Sequence, residues 1–216
     1  MPLQLEGKCR CGAVTFSVES HAPCPYQLCY CSICRKTAGG GGYAINLHAD
    51  TATLKVKGRR NIGVYRAELE GDDGQCKTSS GERNFCKRCA TALWLYDPSW
   101  PELIHPFASA IDTDLPVPPE RVHLMLRYKA NWVEPAFGPK DQRFDEYPLG
   151  DDVVGLVRLR ILLDRAARVG HHQDVALARE AVRDDQRGSD GAVGLVRVVS
   201  RAVVEAADQD VLAARL

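Results

Sequence analysis

Nine cysteines in 216 residues constrain this chain more than any other feature, because most of them fall in three tight groups. Cys9 and Cys11 stand in "GKCRCGAV", Cys29, Cys31 and Cys34 in "CYCSICRK", and Cys86 and Cys89 in "FCKRCATALW". An odd number of thiols cannot close into disulfides without one left over. The N-terminus, "MPLQLEGKCRCG", lacks a charged region followed by an apolar stretch, and no run of 18 apolar residues occurs. A soluble, cytoplasmic protein is therefore expected, and a reducing compartment turns clustered thiols towards metal.

Between the cysteine groups the pattern is that of short strands. "AVTFSVE" (13–19) places Val14, Phe16 and Val18 on alternate positions, the period of a half-buried strand. "YAINL" (43–47), "ATLKV" (52–56), "IGVYRAEL" (62–69), "ALWLY" (92–96) and "VHLMLRY" (122–128) are rich in β-branched and aromatic residues, with Gly, Pro, Asp and Asn between them. Residues 1–148 thus read as one mostly β domain whose loops carry the cysteines. Lys+Arg and Asp+Glu both number 28, and no basic run is interleaved with aromatics, so neither nucleic acid nor a membrane is an expected partner.

Composition changes after residue 148. From Asp151 onward 56 of 66 residues are Ala, Val, Leu, Arg, Asp or Gly, with no Pro, Cys, Lys or aromatic residue, a bias typical of low-complexity sequence. Val196, Val199, Val203, Ala207, Val211 and Ala214 recur at helical spacing, so residues 149–216 read as a partly helical or disordered tail. The bias is also that of a shifted reading frame through GC-rich coding sequence. On that reading the tail has no selected function, and peptides from Asp151 to Leu216 in the mass spectrum of the native protein would refute it.

Two cysteine pairs bracket the β domain, Cys9 with Cys11 and Cys86 with Cys89. Two plus two thiolates are what a closed tetrahedral zinc site requires; the competing reading of C-x-x-C, a redox dithiol, calls for an adjacent βαβ pattern that is absent. Cys29, Cys31 and Cys34 supply three thiolates and leave one position open, either for water or substrate or for a fourth ligand such as Cys24, Cys76, His21 or His48. Spacing does not decide between these. Three thiolates on Zn²⁺ leave a net charge of −1 and donate strongly, so an open site would activate water modestly. It would instead hold an incoming thiol as thiolate, a nucleophile towards electrophilic carbon.

Arg35 follows the last of these ligands and suits a supporting or substrate-binding role, and Gly39 to Gly42 would let backbone N–H groups approach an anionic ligand. Lys36 reads as a solvated charge. His105 and His123 lie in apolar, strand-like surroundings and are expected to be packed and hydrogen-bonded. Trp94, Trp100 and Trp132 could line a pocket but are expected rather to fill the small core, and Cys24 and Cys76 are expected as free thiols.

Taken together, "GKCRCGAVTFSV", "CYCSICRK" and "FCKRCATALW" resemble, in order and spacing, the glutathione-dependent formaldehyde-activating enzyme family, which includes centromere protein V. The likeness spans about residues 5–148. It implies a mostly β, Mss4-like fold stapled by zinc, with structural zinc at Cys9, Cys11, Cys86 and Cys89 and catalytic zinc at Cys29, Cys31 and Cys34, two zincs per chain. It implies a carbon-sulfur lyase activity that forms or cleaves a thiol–aldehyde adduct such as S-hydroxymethylglutathione, with glutathione as co-substrate and small-molecule thiol and aldehyde as partners. Arg35, with Arg59 and Arg60, would contact the glutathione carboxylates. Tyr30 stands where many members have histidine, and Ala90 where glycine commonly follows the last cysteine. A noncatalytic zinc-stabilised binding module, with both sites closed, is the alternative; a thiol redox protein, with reversible disulfides, is a third reading.

Overall fold

The computed structural model describes residues 2–21, 26–70 and 74–147; the tail and Cys24 lie outside them. Its elements, in order, are β1 (Leu3–Lys8), β2 (Thr15–Ser20), β3 (Tyr26–Cys29), α1 (Ser32–Ala38), β4 (Ala44–Asn46), β5 (Ala49–Asp50), β6 (Lys55–Lys57) and β7 (Ile62–Tyr65). There follow β8 (Glu68–Glu70), β9 (Cys76–Thr78), β10 (Glu82–Cys86), β11 (Ala92–Tyr96), β12 (Leu103–Pro106), β13 (Arg121–Leu124) and β14 (Gln142–Arg143). The described residues are mostly β, as expected.

The strands form sheets in the orders β1-β2-β6, β5-β12-β11-β10-β7 and β14-β13-β3-β4, with β8 and β9 as a separate hairpin. β1 and β2 pair antiparallel from Leu3↔Ser20 to Lys8↔Thr15, and in β2 Phe16, Val18 and Ser20 are buried on alternate positions. One face therefore enters the core, the other does not. An isolated bridge joins Gly7 to Ile111, and another joins Asn46 to Phe107, so the smaller sheets are tied to the segment leaving β12. Leu5, Phe16, Leu28, Tyr30, Leu47, Leu93, Trp94 and Ile104 meet in one core. Phe16 stands edge-on to Trp94 at 5.1 Å between centroids. Burying each such large side chain contributes roughly 1.5–3 kcal/mol.

Three of the expected strands are shortened, each for a visible reason. The stretch 52–56 begins as a 3₁₀ turn, Thr51–Thr53, because the Asp50 carboxylate accepts the Ala52 N–H at 2.9 Å; only Lys55–Lys57 is strand. The stretch 62–69 divides into β7 and β8. The stretch 122–128 ends as strand at Leu124, since Met125 takes a left-handed conformation (φ 61°) and a 3₁₀ turn, Leu126–Tyr128, follows. The cysteine-rich segment expected as loop contains α1. No helix among the described residues is long and apolar enough to cross a membrane.

Candidate metal centres

The first thiol group grows out of two turns. After β1, the Gly12 N–H donates to the Cys9 carbonyl at 2.9 Å, with Gly12 at φ +72°, a conformation that favours glycine. The Val14 N–H donates to Cys9 Sγ at 3.2 Å. After β10, the Ala90 N–H donates to the Cys86 carbonyl at 2.8 Å, and Ala90 holds φ 57°. That position asks for glycine, and an L side chain in the left-handed region costs about 1 kcal/mol. The Arg10 N–H donates to Thr91 Oγ1 at 3.1 Å and joins the turns.

These turns bring Cys9, Cys11, Cys86 and Cys89 together with every sulfur within 4.8 Å of the others. Cys9 and Cys11 sulfurs are 3.5 Å apart, Cys11 and Cys86 sulfurs 3.8 Å. A tetrahedral zinc with Zn–S near 2.3 Å separates its sulfurs by about 3.8 Å, so the donor set fits that ion. Hydrogen bonds from Thr91, side chain then backbone, with a further one from the Cys11 backbone, pull Cys89 down to about 5. Cys9 and Cys86 are fully buried although 77 positions apart, so a shared ion would staple β1 to β10.

Cys29, Cys31 and Cys34 form the second group, again within 4.8 Å. β3 supplies Cys29 at its last residue; Cys31 is the N-cap of α1, its sulfur accepting the Cys34 N–H at 3.3 Å. The helix thus turns Cys34 back onto Cys31, and Gly39 ends it where a Cβ would lie 2.2 Å from the Tyr43 carbonyl oxygen. Cys29 and Cys34 are buried, Cys31 partly so. Hydrogen bonds from Cys29 and Cys34 hold Cys31 far below the usual thiol range. The bonds of Cys29 with Cys31 and with Cys34, then burial, raise Cys29. At Cys34 the bond with Cys29 lowers the pKa, but the bond with Cys31 and burial outweigh it and push the thiol up to about 11. Metal binding at the triad would release the protons its thiols still carry.

Of the fourth ligands considered, His21, His48 and Cys76 do not join the triad among the described residues. Cys76 is exposed on β9, and Cys24 lies outside the described residues. His48 is fully buried and stands edge-on to His105 at 5.3 Å. His105 and His123 are packed and hydrogen-bonded, as expected: His105 Nδ1 donates to the Leu47 carbonyl at 3.1 Å.

Charged neighbours of the triad came from strands that sequence spacing does not connect. Arg83 on β10 lies close enough to lower Cys34, and its Nε is buried without a hydrogen-bond partner, as is that of Arg35 on α1. Burial, then the nearby Cys29, raises the Tyr147 hydroxyl to about 12, although the residue as a whole is exposed. Arg59 and Arg60 are exposed on the 3₁₀ turn Arg59–Asn61. That turn leads into β7, where Ile62 pairs with Cys86, and the Lys87 N–H donates to the Asn61 carbonyl at 2.8 Å; its backbone contacts are with the four-sulfur group. Of the three tryptophans, Trp94 is in the core and Trp132 is 61% exposed. For Trp132 the pocket reading holds rather than the core one: it lines a cavity of about 290 Å³ with Tyr30, Tyr43, Arg121 and His123.

Residues 4–126 match the model of a family described as glutathione-dependent formaldehyde-activating enzyme. A curated protein of Halomonas elongata, named provisionally as a glutathione-dependent formaldehyde-activating enzyme, is 61% identical over 144 residues, covering 67% of this chain and 88% of its own. A crystal structure of a Rhodobacter sphaeroides protein is 26% identical, with a TM-score of 0.40, over 51% of this chain and 91% of that one.

Proposed function

The chain belongs to the glutathione-dependent formaldehyde-activating enzyme family, and from that premise we propose that it forms and cleaves the adduct of glutathione with formaldehyde, S-hydroxymethylglutathione, as a zinc-dependent carbon-sulfur lyase. The observation that carries the reading is the triad: three sulfurs within metal-sharing distance, and no fourth His, Cys, Asp or Glu among the described residues grouped with them. Zinc held by Cys29, Cys31 and Cys34 would supply a Lewis-acid position that keeps a thiol as thiolate near neutral pH. A second zinc on Cys9, Cys11, Cys86 and Cys89 would be structural.

In the addition, a sulfur lone pair forms the C–S bond, the carbonyl π pair moves onto oxygen, and the proton given up by the thiol ends on that oxygen. Arg83, beside Cys34, and Arg35, next in sequence, offer positive charge for the carboxylates of the tripeptide. Arg59 and Arg60, on the turn beside the four-sulfur group, are not part of this set. Tyr147 stays protonated at neutral pH and is a hydrogen-bond donor for oxygen charge developing beside the triad.

Exchange NMR on glutathione and ¹³C-formaldehyde tests this directly. The wild-type chain should accelerate adduct formation and breakdown above the spontaneous rate, and Cys31→Ser, which removes the partly exposed ligand, should return both to that background. A wild-type rate equal to the uncatalysed one would reject the activity.

A further inference from the structure

We infer that Tyr30, His123 and Asp141 form a positioning chain that sets the directions in which Cys29 and Cys31 present their sulfurs. This rests on the reading that the triad holds metal. Tyr30 occupies the single position between the last residue of β3 and the cap of α1, so its two backbone dihedrals fix the path from Cys29 to Cys31. Its N–H donates to the Leu124 carbonyl at 3.0 Å, which hangs that hinge on β13, where Cys29 is opposite Leu124 and Leu28 opposite His123 in parallel register.

The side chain is anchored as firmly as the backbone. Tyr30 is 1% exposed, and its hydroxyl lies 2.9 Å from His123 Nδ1. His123 Nε2 lies 3.1 Å from Asp141 Oδ2. Asp141 in turn accepts from the Gly138 N–H at 2.7 Å, the Arg121 N–H at 2.9 Å and Arg121 Nε at 3.0 Å. Burial alone would raise this carboxyl, but those donors hold it ionised. An ionised carboxylate only accepts, so His123 Nε2 carries the proton and Nδ1 is left to accept the tyrosine hydroxyl. Each link of the chain therefore has a set direction, the Tyr30 hydroxyl donating to His123 Nδ1 and His123 Nε2 donating to Asp141. Aromatic packing closes it: His123 lies 5.7 Å from Tyr30, nearly stacked, and 4.8 Å from Phe137, edge-on. Arg143 in turn covers Phe137.

Outer groups that orient metal ligands typically alter affinity by about 10–100-fold. Tyr30→Phe keeps the ring and removes one hydroxyl. In the full chain loaded with cobalt(II), this variant should weaken binding at the triad about tenfold or more and change its thiolate-to-metal absorption bands. Binding at the four-sulfur group should be unchanged. His123→Gln, whose amide N–H can keep Asp141 while losing Tyr30, should reproduce the effect and covers the case in which Tyr30→Phe does not fold. Cobalt affinities and spectra equal to wild type at both sites would overturn the inference, even if melting temperatures fall. Absence of any metal at the wild-type triad would instead overturn the reading on which it rests.

Discussion

Cys86→Ser should unfold the β domain at temperatures the wild type survives. Cys86 is fully buried at the end of β10, with its sulfur 3.8 Å from that of Cys11, and the ion proposed there ties β1 to the five-stranded sheet. Binding energy at a structural zinc is folding energy, about 10–16 kcal/mol in isolated zinc-finger peptides. Losing one thiolate of four should cost on the order of 4 kcal/mol, a large part of the roughly 5–15 kcal/mol that holds a domain together. Thermal melts with and without a strong chelator provide the check. The variant should melt far below wild type and near the chelated wild type, whereas Cys31→Ser, at the partly exposed cap of a short helix, should melt close to wild type. A Cys86→Ser melt equal to wild type would remove the structural role from this cluster.

Stability should also fall steeply in mild acid, through two buried histidines. Burial, then the charge of His105, holds His48 at about 3; burial holds His105 at about 4, partly offset by its bond to Leu47 and by Asp97. Both values lie below the usual 6.5. The unfolded chain therefore binds more protons than the folded one as pH drops below 6.5, and stability is lost from there down towards the folded values. The loss by pH 5 should reach about 2 kcal/mol for each histidine. Neither ring nitrogen of His48 has a hydrogen-bond partner, so His48→Leu forfeits no hydrogen bond. Denaturant titrations at pH 7.5 and pH 5 should show that this variant removes about half of the wild-type loss attributed to the pair. Equal pH dependence in both proteins would shift the cause of acid sensitivity to thiol protonation and metal release.

The two thiol clusters were legible because ligand spacing is local chemistry. C-x-C and C-x-x-C each fit one turn, and the turns form as their hydrogen bonds require. Even the alanine at position 90 has a physical reading, as a left-handed residue without glycine's freedom. β2, β4 and β11 were legible from alternation and β-branched composition. β10, "ERNFC", was not, because its partly buried polar residues follow no period of two. Long-range pairing hid the rest: Tyr30 and His123 are 93 positions apart, and the charge of Arg83, 49 positions beyond Cys34, acts on that thiol only through the fold. The backbone conformation of Met125, which ends β13 early, left no mark in an apolar run that reads as continuous strand.

The central claim is that Cys29, Cys31 and Cys34 hold a zinc with one position free for a thiol. X-ray absorption at the zinc edge, with metal content measured on the same sample, tests it with and without glutathione. The account predicts two zincs per chain, one bound by four sulfurs and one by three sulfurs and a lighter atom, the lighter atom giving way to sulfur when glutathione is added. Two sulfur-saturated zincs, indifferent to glutathione, would contradict it.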